Sequence, residues 1–189
     1  MVLKLSDPLL HLRNITAHDD ESLCHIYSST RTEELSQLTD WASHQKEIFL
    51  RSQFAAQHSY YQNNYKGAHF WVIEYGHKII GRLYLHTHYE GESMRIIDIA
   101  LLPEWRNKGL GKQILLAIME LAEYMRRSVT IHVESFNRAM KLYKSLGFVL
   151  VSQTNGVYHL LEWKPTTQAL QENIVFKTIS SQWQSNYNS

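Results

Sequence analysis

Apolar residues change their period along this chain, and the changes divide it into elements. Leu9 to Ile15 alternates apolar and polar positions and reads as a first strand. Thr16 to Asp20 then offers capping side chains for a helix through Leu23, Ile26 and Tyr27. Trp41 to Tyr65 reads as a long helix, in which Leu50, Phe54, Tyr61 and Tyr65 share one face. Phe70 to Tyr75 and Ile79 to His88 are strand-like runs flanking Gly76-His77-Lys78, an arrangement suited to a hairpin. A second turn, Tyr89 to Ser93, leads into a strand whose apolar run, Ile96 to Leu102, stops at Pro103.

The clearest helix begins near Leu110, where Ile114, Leu115, Ile118, Leu121, Ala122 and Met125 form one continuous stripe. Arg126 and Arg127 follow at the negative end of its dipole. Val129 to Val133 is a short buried strand. A compact helix comes next, with Ala139, Leu142, Tyr143 and Leu146 on one face and Gly147 as its C-terminal cap. Phe148 to Val151 and Val157 to Trp163, joined through Asn155-Gly156, close the domain as strands. Hairpins first and then β-α-β-α-β predict an α/β layered fold: a mixed sheet flanked by helices. One domain is expected over residues 1–165. Residues 166–189 form a polar tail relieved only by Ile174-Val175-Phe176 and Trp183, either loosely docked or used in association.

Composition narrows the class. Nineteen Lys and Arg against 18 Asp and Glu leave no global field for nucleic acid or an anionic membrane. Cys24 is the single cysteine, so no internal disulfide forms; on an amphipathic helix it reads as core rather than as a nucleophile. No apolar run approaches the ~20 residues of a membrane span. A cytoplasmic protein is expected. His86 and His88 share a strand face, but no cysteine or third histidine completes a metal set, and none is expected.

Between the run ending at Leu102 and the long helix lies Arg106-Asn107-Lys108-Gly109-Leu110-Gly111. Glycines at a strand-to-helix junction uncover backbone N–H groups at the positive end of a dipole, a seat for phosphate. A Walker A loop requires four residues between its glycines and Ser or Thr after the lysine; here one residue intervenes, and Gln113 follows Lys112. A dinucleotide fingerprint requires a third glycine where Ile114 stands and a tight turn, yet Pro103 to Lys108 separate strand from glycine. Glu134 does sit where a ribose-binding acid belongs, which keeps a nicotinamide-cofactor enzyme as a lesser alternative.

The string Arg-x-x-Gly-x-Gly, after Leu-Leu-Pro-Glu-Trp and opening a long helix, resembles the acetyl-CoA motif of the GNAT N-acetyltransferase superfamily. Asn137 to Phe148 resembles that superfamily's second signature, Asn-x-x-Ala-x-x-x-Tyr-x-x-x-Gly-Phe. The resemblance implies a central, mostly antiparallel sheet with strands splayed into a cleft for CoA. It implies that acetyl-CoA is the cosubstrate, with its pyrophosphate on the amides of Arg106, Asn107, Lys108, Gly109, Leu110, Gly111 and Lys112. Pantetheine would pair with main chain near Leu101 and Leu102. Gly109 and Gly111 would keep a Cβ from the phosphate oxygens. Arg106 and Lys108 would add positive charge near the phosphates, with the amides dominating the positioning, while Lys108 and Lys112 read equally well as solvated surface groups.

Asn137 is a helix cap, a CoA contact, or both. Tyr143 lies on an apolar stripe, and the resemblance implies that its hydroxyl protonates the departing thiolate. The strand acid found in many relatives has no counterpart, because Arg95 or Ile96 stands there. Asp98, Glu90, Glu92, His86 and His88 remain as base candidates. The implied activity is acetyl transfer to a primary amine of a small molecule or peptide in a ternary complex, by a monomer or homodimer. The alternative is a regulatory acyl-CoA-binding module without turnover. The acceptor would be chosen by Glu21 to Tyr65 and the strand-connecting loops, including the aromatic face of Trp41, Phe54, Tyr60 and Tyr61.

Overall fold

A computed structural model describes residues 3–37 and 39–166. Among these are seven strands and five α-helices, which is the α/β class that the alternating periods predict. They pack as two compact units. One holds the chain up to Thr87 together with Arg95–Ala117; the other holds His88–Met94 and the chain from Ile118 onward.

In the first unit the strands β1 (Leu10–Asn14), β2 (His69–Tyr75), β3 (Lys78–Tyr89) and β4 (Ser93–Leu101) lie in that order. β1 and β2 are antiparallel, as are β2 and β3. Helices α1 (Asp20–Thr30), α2 (Thr32–Ser36) and α3 (Ser43–Asn64) join β1 to β2. Leu23, Cys24, Ile26 and Tyr27 of α1 form one core with Phe54 of α3, Val72 of β2 and Leu102. Cys24 is buried there, as an amphipathic helix requires. The start of α1 is tied down by charge. Arg13 donates to both oxygens of Asp19 at 2.9 Å and to Glu74 at 2.9 Å. These bonds hold the Asp19 carboxyl well below the ordinary carboxylate range, against the cost of burial and with help from Thr16.

The second unit contains β5 (Ser128–Glu134), α5 (Met140–Ser145), β6 (Val149–Thr154) and β7 (Tyr158–Trp163), with β7 between β5 and β6. Both pairings are antiparallel, and the β6 register shifts between Leu150 and Ser152. Gly147 ends the short helix at φ 89°, the left-handed turn that favours glycine. Helix α4 (Leu110–Met125) carries the expected stripe, with Ile114, Leu115, Ile118 and Ala122 buried.

Several element ends and one short helix differ from the sequence reading. The long helix starts at Ser43 rather than Trp41, because Ala42 is extended and gives its N–H to Gln45 Oε1. α2 has no periodic signal at five residues. Strand β6 extends past Val151 to Thr154. The apolar positions Ile174-Val175-Phe176 and Trp183 of the tail lie outside the described residues.

The approach of β4 to β3 depends on Gly81. A Cβ there would overlap the Ala100 carbonyl oxygen and stand 2.8 Å from Leu101 Cδ2. Gly81→Ala should therefore lower stability by about 1–3 kcal/mol in urea denaturation, as overpacked sites do. An unchanged midpoint would show that β4 has room to move away.

Candidate functional site

The loop between β4 and α4 is built from backbone conformations that few residues accept. Pro103–Trp105 form one turn of 3-10 helix, and Leu102 N–H donates to Ile80 O at 2.8 Å, closing the strand pair. Asn107 and Gly109 then take φ of 58° and 81°. Asparagine tolerates that region better than other side chains do, and glycine enters it freely. Gln113 N–H makes the first helical bond, to Gly109 O, so the amides of Leu110, Gly111 and Lys112 lie ahead of the intrahelical ladder. Asn107, Lys108, Gly109 and Lys112 are exposed, whereas Leu110 is buried and anchors the helix.

The two glycines have different reasons. Gly109 is required by its φ, since nothing lies within 4 Å of a Cβ placed on it. Gly111 has neither constraint. Its φ is ordinary, and a Cβ would meet only Leu101 Cδ1 at 3.8 Å, a normal contact. Glycine in a helix costs about 0.5–1 kcal/mol relative to alanine, so a cost is carried here that the chain's own packing does not demand. An uncovered turn of amides beside that bare Cα suits a phosphate group.

Arg106 faces inward. Its Nε donates to Leu101 O at 2.7 Å, and its Nη2 to Ser29 Oγ and O at 3.2 and 3.3 Å. Burial lowers its pKa, with Glu104 opposing. The guanidinium thus fastens the loop to the end of β4 and to the last turn of α1. Lys108 lies with Nζ 5.0 Å from the Trp105 ring centroid. Along β4, Ile97 to Leu101 are all half-buried, while Gly81 to Leu85 on β3 are buried. Leu102 itself is buried among the core side chains of α1.

In the second unit, Asn137 Oδ1 accepts from Ala139 N–H at 2.8 Å, a side-chain turn just ahead of α5; the cap position itself is Ala139, without a side-chain bond, so the expected cap at Asn137 is not formed. Tyr143 of α5 is buried, its ring edge-on to Phe148 with centroids 5.6 Å apart.

Sequence reasoning missed a buried polar layer in the first unit. Arg82 on β3 is 2% exposed and binds Asp98 on β4 through Nη2–Oδ2 at 2.7 Å and Nε–Oδ1 at 3.3 Å. Gln57 Oε1 accepts from the same Nη2 at 3.0 Å, and the rings of Tyr84 and Tyr27 flank the guanidinium at 5.4 and 5.8 Å. Burial opposes the charge of Arg82, but Asp98 and the adjacent phenols outweigh it and raise its pKa. Burial pushes the Tyr84 hydroxyl up to about 12 and carries Tyr61 above the ordinary phenol range. His58 is lowered by burial, and Arg82 adds to that effect while Asp20 opposes it. Among the base candidates, Asp98 is therefore engaged, and His86 Nε2 is bonded to Lys66 O at 2.9 Å. A signal for the pair existed: one arginine and one aspartate interrupt two apolar strands, eight residues either side of Glu90.

Residues 22–148 match the model of the acetyltransferase (GNAT) family, so the chain belongs to that family. It is 35% identical over 85 residues to the uncharacterized N-acetyltransferase YycN of Bacillus subtilis (strain 168), a match covering 42% of this chain and 54% of that relative. The chain thus spans about half the length of the curated relative. The fold is similar to that of the PaiA N-acetyltransferase of Thermoplasma acidophilum in complex with coenzyme A, with a TM-score of 0.62 and 16% identity over 82% of this chain and 98% of that one. It is also similar to a GNAT family acetyltransferase from Elizabethkingia anophelis with acetyl-CoA bound, with a TM-score of 0.53 and 17% identity over 84% and 99%. Among the described residues, no helix is long and apolar enough to cross a membrane.

The buried pair yields a stability test. Asp98→Ala strands the Arg82 charge and should cost about 3–5 kcal/mol in chemical denaturation, whereas Arg82→Met with Asp98→Leu should cost much less. Equal losses would mean that pairing is not what the layer depends on.

Proposed function

We propose that this protein is an N-acetyltransferase that binds acetyl-CoA through Arg106 to Lys112 and acetylates a primary amine of a small molecule or peptide. The observation that carries the reading is Gly111. A glycine kept in the first turn of a helix, with no steric or φ requirement from the chain, fits a guest that needs the bare Cα. Family membership supplies the class of guest. Pyrophosphate oxygens would accept from the amides of Gly109, Leu110, Gly111 and Lys112, with Asn107 shaping the turn. Arg106 acts by fixing the loop, and its charge supports the anion from behind. Pantetheine would run along the half-open edge of β4 near Leu101 and Leu102. Asn137, in the turn before α5, would contact CoA.

In the reaction the neutral amine lone pair forms a C–N bond to the thioester carbon and the C–S bond breaks. The departing thiolate takes a proton from the Tyr143 hydroxyl, and the proton shed by the new amide nitrogen passes through solvent to restore the tyrosine. Residues 1–165 would act as one catalytic domain. The protein would work in the cytoplasm, without metal, as a monomer or homodimer, and with neither nucleic acid nor membrane as partner.

One observation favours a second reading, a CoA-binding module without turnover. By the resemblance, Arg95 or Ile96, both buried, stands where many relatives carry an acid, and Asp98 is committed to Arg82. Calorimetric titration with CoA, followed by thiol release from acetyl-CoA over an amine library, separates the two. The enzyme reading predicts CoA binding, release with at least one amine, and a rate about 100-fold lower in Tyr143→Phe, within the range for lost acid catalysis. It also predicts that Gly111→Glu folds normally and loses CoA affinity. Binding without release for any amine would establish the module, and unchanged affinity in Gly111→Glu would remove the loop from the site.

A further inference from the structure

Strand β6 lies at the edge of the second unit, and among the described residues only β7 pairs with it. All six of its residues are exposed, Val149 by 60%, Leu150 by 49% and Val151 by 52%. Val157 and Tyr158, across the hairpin turn, are exposed as well. Phe136 is a further exposed ring, held near that turn because Ser135 N–H donates to Val157 O at 2.7 Å. Edge strands are ordinarily blunted by lysine, proline or inward charge, and Val149 to Thr154 contains none of these. The register shift between Leu150 and Ser152 still leaves the apolar side chains on the surface. An apolar edge of this kind suits an added strand.

We propose that this edge is covered by the chain's own C-terminal segment, Ile174 to Ile179, added to β6 as a further strand. The segment reads Ile-Val-Phe-Lys-Thr-Ile, six residues like β6, five of them β-branched or aromatic and none glycine or proline. Lys177 is its one charge, and β6 carries none to repel it. The reach fits. β7 ends at Trp163 beside the start of β6, since Glu162 pairs with Val149. Thr166 N–H donates to Glu123 Oε2 at 3.1 Å, and Thr166 lies no more than about 10 Å from Trp163. Seven residues, Thr167 to Asn173, then separate Thr166 from Ile174. They span up to about 25 Å. Crossing from β7 to the far side of β6 takes two strand spacings, about 10 Å. Tethering also selects the occupant. A linker this short holds the segment at an effective concentration on the order of millimolar, above that of a second copy in dilute solution.

Amide hydrogen exchange on the full chain, read residue by residue at a high and a low protein concentration, tests this. One variant combines Ile174→Asp with Phe176→Asp, which charges one face of the segment. The other is Val175→Pro, which removes a backbone donor. Both lie outside β1 to β7 and α1 to α5, so neither alters the packing described above. The amides of β6 that point away from β7 should be protected in the parent, equally at both concentrations. In both variants they should exchange at least about 10-fold faster, while Ile131 of β5 and Leu161 of β7 exchange as in the parent. Three results would overturn the proposal. The first is identical β6 exchange in parent and variants, which would leave the edge without the segment. The second is β6 protection lost on dilution together with the light-scattering mass of a dimer, which would assign the edge to a second copy. The third is equal acceleration at Ile131 and Leu161, which would show a loosening of the whole unit rather than an uncovered edge.

Discussion

The bidentate pair of Arg82 with Asp98 is the constraint on which the glycine loop depends. Both charges interrupt apolar runs, Ile79 to Leu85 and Ile96 to Leu101, and the arginine is almost wholly buried. A slip of β4 by one residue would turn Asp98 to the opposite face and leave Arg82 buried without its counter-ion. The register in which they meet is the one in which Leu102 N–H reaches Ile80 O and the chain leaves the sheet. Gly81, next to Arg82, lets Ala100 and Leu101 come close enough for that register to close. The turn of amides at Gly109 to Lys112 is thus placed by an ion pair more than ten residues upstream of it.

Arg106 extends the same logic. A sequence motif invites the view that its positive charge is there for phosphate, yet the guanidinium spends its donors on Leu101 O and on Ser29. On the proposed reading, phosphate recognition would fall to main-chain amides, whose positions do not depend on a flexible side chain. The inward arginine also connects the loop with α1, one of the helices expected to choose the acceptor. The proposed cofactor seat and the proposed acceptor helix would therefore share a fixed point. The Asn137 side chain is likewise engaged locally, in the turn that leads into α5.

Much of this was legible from the chain. Periodicity alone places β1, α1, the two hairpins, α4 and β7, because in each a single face is buried and the pattern is unbroken. The glycine string and the Asn137 to Phe148 string are local, so their chemistry survives being read in one dimension. What periodicity loses is cross-strand. Arg82 and Asp98 are 16 residues apart and look like defects in apolar strands until the hairpin register is known. Gln57, His58 and Tyr61 belong to the same layer but lie on α3, where their spacing marks them only as one helix face. The distinct reasons for Gly109 and Gly111 likewise need φ and a placed Cβ. The acceptor side carries no local motif, so only chemistry on the real substrate will identify it.

The most direct test of the central claim is amide hydrogen exchange with and without CoA. The account predicts strong added protection at Gly109, Leu110, Gly111 and Lys112, with lesser protection along Ile97 to Leu101, since the former would donate to phosphate oxygens and the latter would be covered by pantetheine. Saturating CoA that leaves exchange at Gly109 to Lys112 unchanged, while protecting amides elsewhere, would contradict it.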